Sequence, residues 1–353
     1  MADIPGVALY RKYRPQSWND VLGQEHVVNV LLGAIEAGNI AHAYLFAGSR
    51  GTGKTSVARI FARSIGCSDN DLYEIDAASN RGIDDIRELR DGVRTLPFES
   101  PYKVYIIDEV HMLTKEAFNA LLKTLEEPPK HVVFILATTE PNKLPETVIS
   151  RCQTFTFKKP SHAILKDLIA KIAKKEGFSI ESASADLIAV LGDGSFRDAQ
   201  GILQKVLSSS KDKKVSVEEV LEVTGSPKSE LINNFISALA EKDVAKGMGV
   251  IQKASKENID MNVFLRLALH KVRMILLLRF AKDMEAEIEK EFTEEDFTFL
   301  KDMSGKSGAG IASKTLEALL LAHSMMRYSA IPELPLELLV MKLDDRQSID
   351  KIA

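Results

Sequence analysis

The stretch that decides the fold runs from residue 43 to residue 65 and reads AYLFAGSRGTGKTSVARIFARSI. Its apolar start, Ala43 to Ala47, is typical of a buried strand, and Thr55 to Ile65 has the spacing of a helix. The residues that follow the strand and lead into the helix fit the Walker A pattern without a mismatch. They are Gly48, Ser49, Arg50, Gly51, Thr52, Gly53, Lys54 and Thr55. A chance glycine-rich turn is the alternative, and the strand and helix around the motif argue against it.

A loop of this kind binds phosphate for physical reasons. Its glycines let consecutive backbone N–H groups turn inward around phosphate oxygens, and the helix N-terminus adds its dipole. Lys54 is predicted to reach the β- and γ-phosphates, and Thr55 is predicted to hold Mg²⁺ through its hydroxyl. The sequence therefore predicts ATP and Mg²⁺ as ligands.

A second strand candidate, Val104 to Ile107, ends in two carboxylates, Asp108 and Glu109. In an open α/β sheet, ligands bind at the carboxyl ends of the strands, which is where this pair lies. Asp108 is predicted to bind Mg²⁺, and Glu109 to orient or deprotonate the water that attacks the γ-phosphate. Two acids after an apolar run often mark only a solvated strand end, but a complete Walker A loop upstream favours a catalytic pair.

The alternation of strands and helices predicts the fold of the first segment. Val104 to Ile107 and Val132 to Ala137 are continuously apolar, as strands covered on both faces are. Such strands, alternating with helical patterns, predict an α/β core with a parallel, doubly wound sheet over residues 1–158.

The rest of the chain is predicted to be helical. After Lys158-Lys159-Pro160 the pattern is purely helical to about Val223, which predicts a small helical domain over residues 159–223. A second break at Gly225-Ser226-Pro227 opens a further helical segment, residues 224–353.

The bulk composition is that of a globular protein, with 353 residues, 45% of them hydrophobic and 27% charged. No apolar run reaches the ~20 residues that span a bilayer, and no signal peptide is visible. We therefore expect a cytoplasmic protein that does not bind a membrane. The two cysteines, Cys67 and Cys152, suffice for neither a disulfide framework nor a four-cysteine zinc site. Because the net charge is −4, any binding to nucleic acid needs a local basic face.

Several further motifs are distinctive: Tyr13-Arg14-Pro15, Val21-Leu22-Gly23-Gln24, residues 107–113, residues 119–129, Leu136-Ala137-Thr138-Thr139, Ser150-Arg151-Cys152 and residues 194–199. Together they resemble the bacterial DNA polymerase III gamma/tau subunits, a family of AAA+ clamp-loader ATPases. The likeness is dense over the first two segments and extends to the third only in general helical character.

The resemblance implies roles for matching positions. Thr139 would be sensor 1, touching the γ-phosphate or the attacking water, and Arg197 would be sensor 2, reporting the nucleotide to the lid. Arg151 would be an arginine finger acting in trans, which can change a rate ~10³-fold or more; a surface ion pair with a nearby acid is the alternative. The implied nucleotide contacts are the Walker A residues with Ser56, Arg197, and an adenine pocket of Arg14, Pro15 and Val21.

The resemblance also implies an architecture and partners. A P-loop AAA+ core would carry a small helical lid domain and an all-α collar domain that joins subunits in a ring-like pentamer. The implied partners are further copies of this chain, delta-like and delta-prime-like subunits, the sliding clamp and primed DNA. ATP held between neighbours would order the assembly on clamp and DNA, and hydrolysis within the DNA polymerase III holoenzyme would release it.

Two rival functions make different demands on the sequence. A catalytically silent scaffold, like the stator subunit of the family, predicts a damaged Walker A loop, whereas Lys54 and Thr55 are present with Asp108 and Glu109. Another AAA+ motor, such as a branch-migration helicase or a helicase loader, is the second rival. Ser150-Arg151-Cys152 and the run of residues 126–129 argue against it.

One departure from the family concerns zinc. Its members carry a four-cysteine zinc module between the Walker A helix and the next strand, whereas here only residues 68–71 separate Cys67 from Leu72. A single thiol cannot complete a tetrahedral site, so we predict that no zinc is bound.

A basic stripe is the candidate DNA contact. Arg87, Arg90 and Arg94 are spaced to share one helix face, and Arg81 precedes that helix. Such a stripe could follow a phosphate backbone without reading sequence, which suits a protein that acts at any primer. The alternative is a solvated face, with Arg87 paired to Asp84 and Arg90 to nearby acids.

Overall fold

The computed structural model describes residues 7–80, 82–210, 212–305 and 311–344. The described residues up to Leu165, together with Gly194–Asp198, form one compact unit, here called unit 1. Lys166–Asp193 and the described residues from Ala199 onward form unit 2. The predicted boundary at residue 223 lies inside unit 2, so the division into lid and collar stays a prediction.

Unit 1 is built on a parallel sheet, and its strand order among the described residues is β2-β3-β4-β1-β5. The strands are β1 (Ala43–Gly48), β2 (Leu72–Asp76), β3 (Lys103–Asp108), β4 (Val132–Thr138) and β5 (Gln153–Phe157). In the register, Ala43 lies opposite Phe134 and Lys103 lies opposite Val132. The carboxyl ends of β1, β3 and β4 therefore lie side by side.

The central strands β1, β3 and β4 are buried almost throughout because both faces of the sheet are covered there, whereas the edge strands β2 and β5 are partly exposed. The helices of this unit are α1 (Leu9–Lys12), α2 (Glu25–Glu36), α3 (Lys54–Ser64), α4 (Ile83–Val93), α5 (Lys115–Glu126) and α6 (Glu146–Ile149). Ala43 and Leu45 point into one core with α4 and α5, whereas Tyr44 and Phe46 point into another with α2 and α3. Short 3₁₀ turns occupy Trp18–Asp20, Asp69–Asp71, Val110–Met112 and Pro141–Lys143. The predicted doubly wound α/β core is confirmed.

Two helices, α7 (His162–Lys175) and α9 (Phe196–Ser209), run from one unit into the other. The remaining helices of unit 2 are α8 (Ser182–Leu191), α10 (Val217–Thr224), α11 (Ser229–Glu241), α12 (Val244–Lys256), α13 (Met261–Phe280), α14 (Glu285–Glu289), α15 (Glu294–Gly305), α16 (Ser313–Met325) and α17 (Leu334–Asp344). A 3₁₀ turn, Lys282–Met284, precedes α14. Their core is centred on α13, where Phe264 packs against Phe235 of α11 with ring centroids 5.2 Å apart.

The purely helical prediction for residues 159–223 was wrong in one respect. Two short strands, β6 (Ser179–Ile180) and β7 (Lys214–Val215), pair in parallel. Each has two residues, too few for a periodic pattern, so nothing in the sequence marks them. No helix in the part of the chain that the structure describes combines the length and apolar character needed to cross a bilayer.

Candidate nucleotide site

The phosphate loop lies between the end of β1 and the start of α3, at the carboxyl edge of the sheet. Two of its glycines are required by geometry. Gly48 has φ +153° and a Cβ atom there would lie 2.5 Å from the carbonyl oxygen of Phe157, while a Cβ atom on Gly51, at φ +73°, would overlap Ser195 Oγ. The backbone can therefore curl around an anion only because side chains are absent at these two positions.

Lys54 is the first residue of α3, and its side chain is buried against the loop itself. Its Nζ donates to the carbonyl oxygens of Gly48 at 2.7 Å and Ser49 at 2.9 Å. Burial lowers the pKa of Lys54, and the nearby carboxylates of Glu109 and Asp108 oppose that shift. The ammonium group is thus held over the curled backbone, where a phosphate group would meet it.

The next residue joins the loop to the neighbouring acidic strand end. Thr55 Oγ1 donates to Asp108 Oδ2 at 2.8 Å. A hydroxyl and a carboxylate oxygen are hard ligands of the kind that Mg²⁺ takes alongside nucleotide phosphates. The two residues that the sequence predicted as magnesium ligands are therefore adjacent in the fold, and their donor set fits the ion.

Glu109 follows β3 in a left-handed conformation, with φ 49°. Its Oε2 accepts a hydrogen bond from Thr139 Oγ1 at 2.9 Å and lies 3.4 Å from the Thr139 backbone N–H. Because β3 and β4 are adjacent, the residues that follow them meet at the same edge. The structure thus brings together the predicted water-activating carboxylate and the predicted sensor 1.

Of the predicted adenine-pocket residues, Arg14 contacts the N-terminal turn of α3. Arg14 Nε donates to Ser56 Oγ at 3.1 Å, and burial, followed by the nearby Arg59, lowers the pKa of Arg14. Val21 packs against the core on the α2–α3 face, and Pro15 is half-buried. Arg50, at the tip of the phosphate loop, is exposed.

Arg197 lies on a short segment that touches the phosphate loop. Phe196 N donates to the Gly51 carbonyl oxygen at 3.0 Å, and Ser195 is buried beside the same glycine. The guanidinium of Arg197 stacks over the Tyr10 ring, 4.7 Å from its centroid. Hydrogen bonding to Arg11, and then to Arg197, lowers the pKa of Tyr10.

Arg151 makes the ion pair that the sequence left open as an alternative. Its Nη2 lies 2.7 Å from Glu126 Oε1, and its Nη1 donates to the Thr147 carbonyl oxygen at 2.7 Å. The Arg151 side chain keeps 33% of its surface exposed. A half-exposed pair of this kind contributes only about 0–1 kcal/mol to the free energy of unfolding. Separating the guanidinium from Glu126 therefore costs little.

The basic stripe on α4 is partly paired. Arg87 lies 2.9 Å from Asp84 and Arg90 lies 3.6 Å from Asp91, as the solvated-face alternative predicts. Arg94 caps the helix and is exposed. Arg81 lies outside the described residues. The role of the stripe in DNA contact stays a prediction.

The segment between α3 and β2, where the sequence predicts that no zinc is bound, is short and held by hydrogen bonds. Burial raises the pKa of the Cys67 thiol to about 11, which disfavours the thiolate that zinc requires. Asp71 accepts backbone N–H bonds from Phe98, Glu99 and Ser100. Although burial raises the pKa of Asp71, these hydrogen bonds outweigh it and hold the pKa at about 2. The absence of zinc stays a prediction.

Sequence reasoning missed three neighbours of the site. Ser195 contacts Gly51 of the phosphate loop, and Tyr10 lies under the guanidinium of Arg197. Glu140 lies beside His111, the imidazole that follows Glu109 in the turn after β3. Residues 194–199 stood out as a motif, but no sequence spacing indicates that they touch Gly51.

The sequence is similar to those of DNA polymerase III subunits. A family model described as "DNA polymerase III, delta subunit" matches residues 23–81 and 68–161. DNA polymerase III subunit tau of Bacillus subtilis is 39% identical over 357 residues, covering 95% of this chain and 63% of the relative. DNA polymerase III subunit gamma/tau of Mycobacterium tuberculosis H37Rv is 36% identical, covering 96% of this chain and 62% of the relative. The chain thus spans less than two thirds of the length of these curated relatives.

Among solved structures, the RuvB Holliday junction branch migration motor of Thermotoga maritima superimposes with a TM-score of 0.53. It is 20% identical and the match covers 87% of this chain and 98% of that chain. At that identity the likeness shows the fold alone.

The phosphate loop, the acidic strand end and the parallel sheet, together with this likeness, define the chain as a member of the AAA+ fold class. Within that class, the chain is similar along nearly its whole length to the bacterial DNA polymerase III tau and gamma/tau subunits.

Proposed function

We propose that this chain is the ATP-hydrolysing motor subunit of a bacterial sliding-clamp loader, which places the clamp on primed DNA during replication. The observation that carries the proposal is the meeting of Thr55 with Asp108 and of Glu109 with Thr139 at the mouth of an intact phosphate loop. A silent scaffold needs none of these contacts. The relatives named as DNA polymerase III subunits favour a clamp loader over other AAA+ motors.

In the proposed mechanism, backbone N–H groups of residues 48–55 and Lys54 bind the ATP phosphates. Thr55 and Asp108 would hold Mg²⁺, which neutralises charge that develops on the phosphate oxygens. Glu109 orients the attacking water and accepts its proton, and Thr139 keeps the Glu109 carboxylate in place. Arg197, next to the loop, would sense the bound nucleotide.

The proposed assembly explains why Arg151 lies outside this cluster of contacts. ATP would lie between neighbouring subunits of a pentamer that contains further copies of this chain with delta-like and delta-prime-like subunits. Arg151 would exchange Glu126 for the γ-phosphate held by its neighbour. Because the ion pair is half-exposed, that exchange costs little, whereas a guanidinium on the transferred phosphoryl group accelerates hydrolysis about 10³-fold or more.

The test is hydrolysis in a reconstituted assembly. The chain, its proposed partner subunits and the clamp are mixed with Mg-ATP, and the rate of hydrolysis is measured with and without primed DNA. We expect stimulation by clamp and primed DNA that Arg151→Ala abolishes while ATP still binds. Hydrolysis that ignores the clamp and responds instead to four-way junction DNA would move the chain to another AAA+ branch.

A further inference from the structure

His111 is a buried imidazole to which the proposed mechanism gives no task. It lies in the turn Val110–Met112 after β3, and its side chain is only 5% exposed. Its Nδ1 is 3.0 Å from Thr138 Oγ1 and 3.4 Å from Glu109 Oε2, while its Nε2 is 3.4 Å from Glu140 Oε1. The ring therefore stands between the water-activating carboxylate and a second carboxylate.

The hydrogen bonds around Thr138 indicate how the ring is held. Thr138 Oγ1 accepts from the Glu140 backbone N–H at 3.0 Å and shares a hydrogen bond of 3.0 Å with His111 Nδ1, so the same hydroxyl contacts both residues. The tautomer of the ring sets the direction of the hydrogen bond to Thr138, and in either tautomer Nε2 faces Glu140 Oε1 at 3.4 Å. Glu140 is itself anchored, because its Oε2 lies 2.9 Å from Lys143 Nζ.

The Glu109 side chain, which faces Nδ1 of the same ring, is restricted by contacts with two residues. Thr139 holds Oε2 from one direction, and the imidazole of His111 closes the space beside the same oxygen. The left-handed backbone of Glu109 is itself a conformation that non-glycine residues adopt at a cost, so neighbouring contacts must maintain it. Consecutive residues at the end of β4 and after it, namely Thr138, Thr139 and Glu140, thus all act on the Glu109–His111 pair.

We propose that His111 is a positioning residue for Glu109, fixed in place by Thr138 and Glu140. The inference rests on the proposed ATP hydrolysis and adds to it the groups that aim the carboxylate at water. The position of the carboxylate relative to the attacking water matters in such a step, since a misplacement of about 1 Å can lower the rate about 10²-fold. A side chain that only filled space at this position would need none of these polar contacts.

The experiment compares paired variants in Mg-ATP hydrolysis by the reconstituted assembly. His111→Leu and Thr138→Val remove the polar contact at Nδ1, whereas His111→Asn and Thr138→Ser retain a polar atom there. We expect the first pair to lower kcat about tenfold or more while KM for ATP stays within about twofold. The second pair should recover most of the loss.

Glu140→Ala keeps the test independent of folding, because the Glu140 side chain is 48% exposed. We expect it to lower kcat about threefold, with Glu146→Ala, an exposed acid in the next helix, as the matched control. Equal losses in His111→Asn and His111→Leu, or an unchanged rate in Glu140→Ala, would show a packing role and overturn the inference.

A Glu109→Gln variant separates this inference from the proposed function. If Glu109→Gln abolishes hydrolysis and His111→Leu leaves kcat intact, the positioning role alone is overturned. If Glu109→Gln hydrolyses ATP at the wild-type rate, the proposed catalytic role of Glu109 is wrong, and the inference fails with it.

Discussion

The hydroxyl of Thr139 lies 2.9 Å from Oε2 of Glu109, so the residue that follows β4 holds the carboxylate that follows β3. The contact exists because the two strands are neighbours in a parallel sheet and end at the same edge. The proposed water-activating carboxylate is thereby held in place by a hydrogen bond from the neighbouring strand end. Such preorganisation is what a general base needs.

Replacing this carboxylate should separate binding from chemistry. We expect Glu109→Gln to lower the rate of ATP hydrolysis at least about 10²-fold, because an amide cannot accept the proton of water. ATP affinity should change little, since Lys54 and the loop backbone are untouched. Single-turnover hydrolysis and equilibrium ATP binding measure the two effects, and Glu146→Gln is the exposed control.

The Thr139 hydroxyl can be tested by shape-matched variants. Thr139→Val removes the donor to Glu109 without changing the volume much, and we expect kcat to fall about tenfold or more. Thr139→Ser keeps the hydroxyl and should stay near wild type. If Val and Ser variants behave alike, the hydrogen bond has no part in hydrolysis.

Replacing Arg151 should have a small effect on stability and a large effect on catalysis. Arg151→Ala should change the free energy of unfolding by less than about 1 kcal/mol, because its pair with Glu126 is half-exposed. In the assembly it should lower kcat about 10³-fold. Glu126→Gln breaks the same pair but keeps the guanidinium, so a comparable loss of kcat in that variant would contradict a finger acting in trans.

Asp71 predicts an acid-sensitive contribution to stability. Its pKa of about 2 lies below the usual value of about 3.9, so the contribution is present above about pH 4 and is lost as the pH falls toward 2. Asp71→Asn should lower the free energy of unfolding at pH 7 by about 2 kcal/mol, because three backbone donors lose a charged acceptor.

The difference in stability between the wild type and Asp71→Asn should shrink as the pH falls from about 4 to 2, measured by urea unfolding. Asp69→Asn, an exposed neighbour, serves as the control. A gap that does not depend on pH in this range would show that Asp71 is not the titrating group.

The stripe on α4 predicts a salt-dependent effect. Arg87→Ala, Arg90→Ala and Arg94→Ala combined should weaken binding of the assembly to primed DNA equally for all sequences. The slope of log affinity against log salt should become shallower by about 0.9 for each DNA phosphate that the variant no longer neutralises. A triple variant at Lys171, Lys174 and Lys175 removes the same charge elsewhere, and an equal weakening there would assign the effect to net charge.

The sequence by itself determined the doubly wound core, the phosphate loop and the two acidic residues at the strand end. These features are local: burial on both faces leaves continuous apolar runs, and a curled phosphate-binding backbone demands glycine at fixed spacing. The rule that ligands bind at the carboxyl ends of parallel strands then sufficed to predict that Asp108 lies near Thr55.

Only the tertiary structure decided which distant side chains meet. Arg197 over Tyr10, Ser195 on Gly51, Arg151 with Glu126 and His111 with Glu140 each join residues whose separation follows no periodicity. Such contacts depend on strand order, on register and on single backbone angles such as the left-handed φ of Glu109. Periodicity and composition record which face of an element is buried, whereas the partner across that face is fixed by how the whole chain packs.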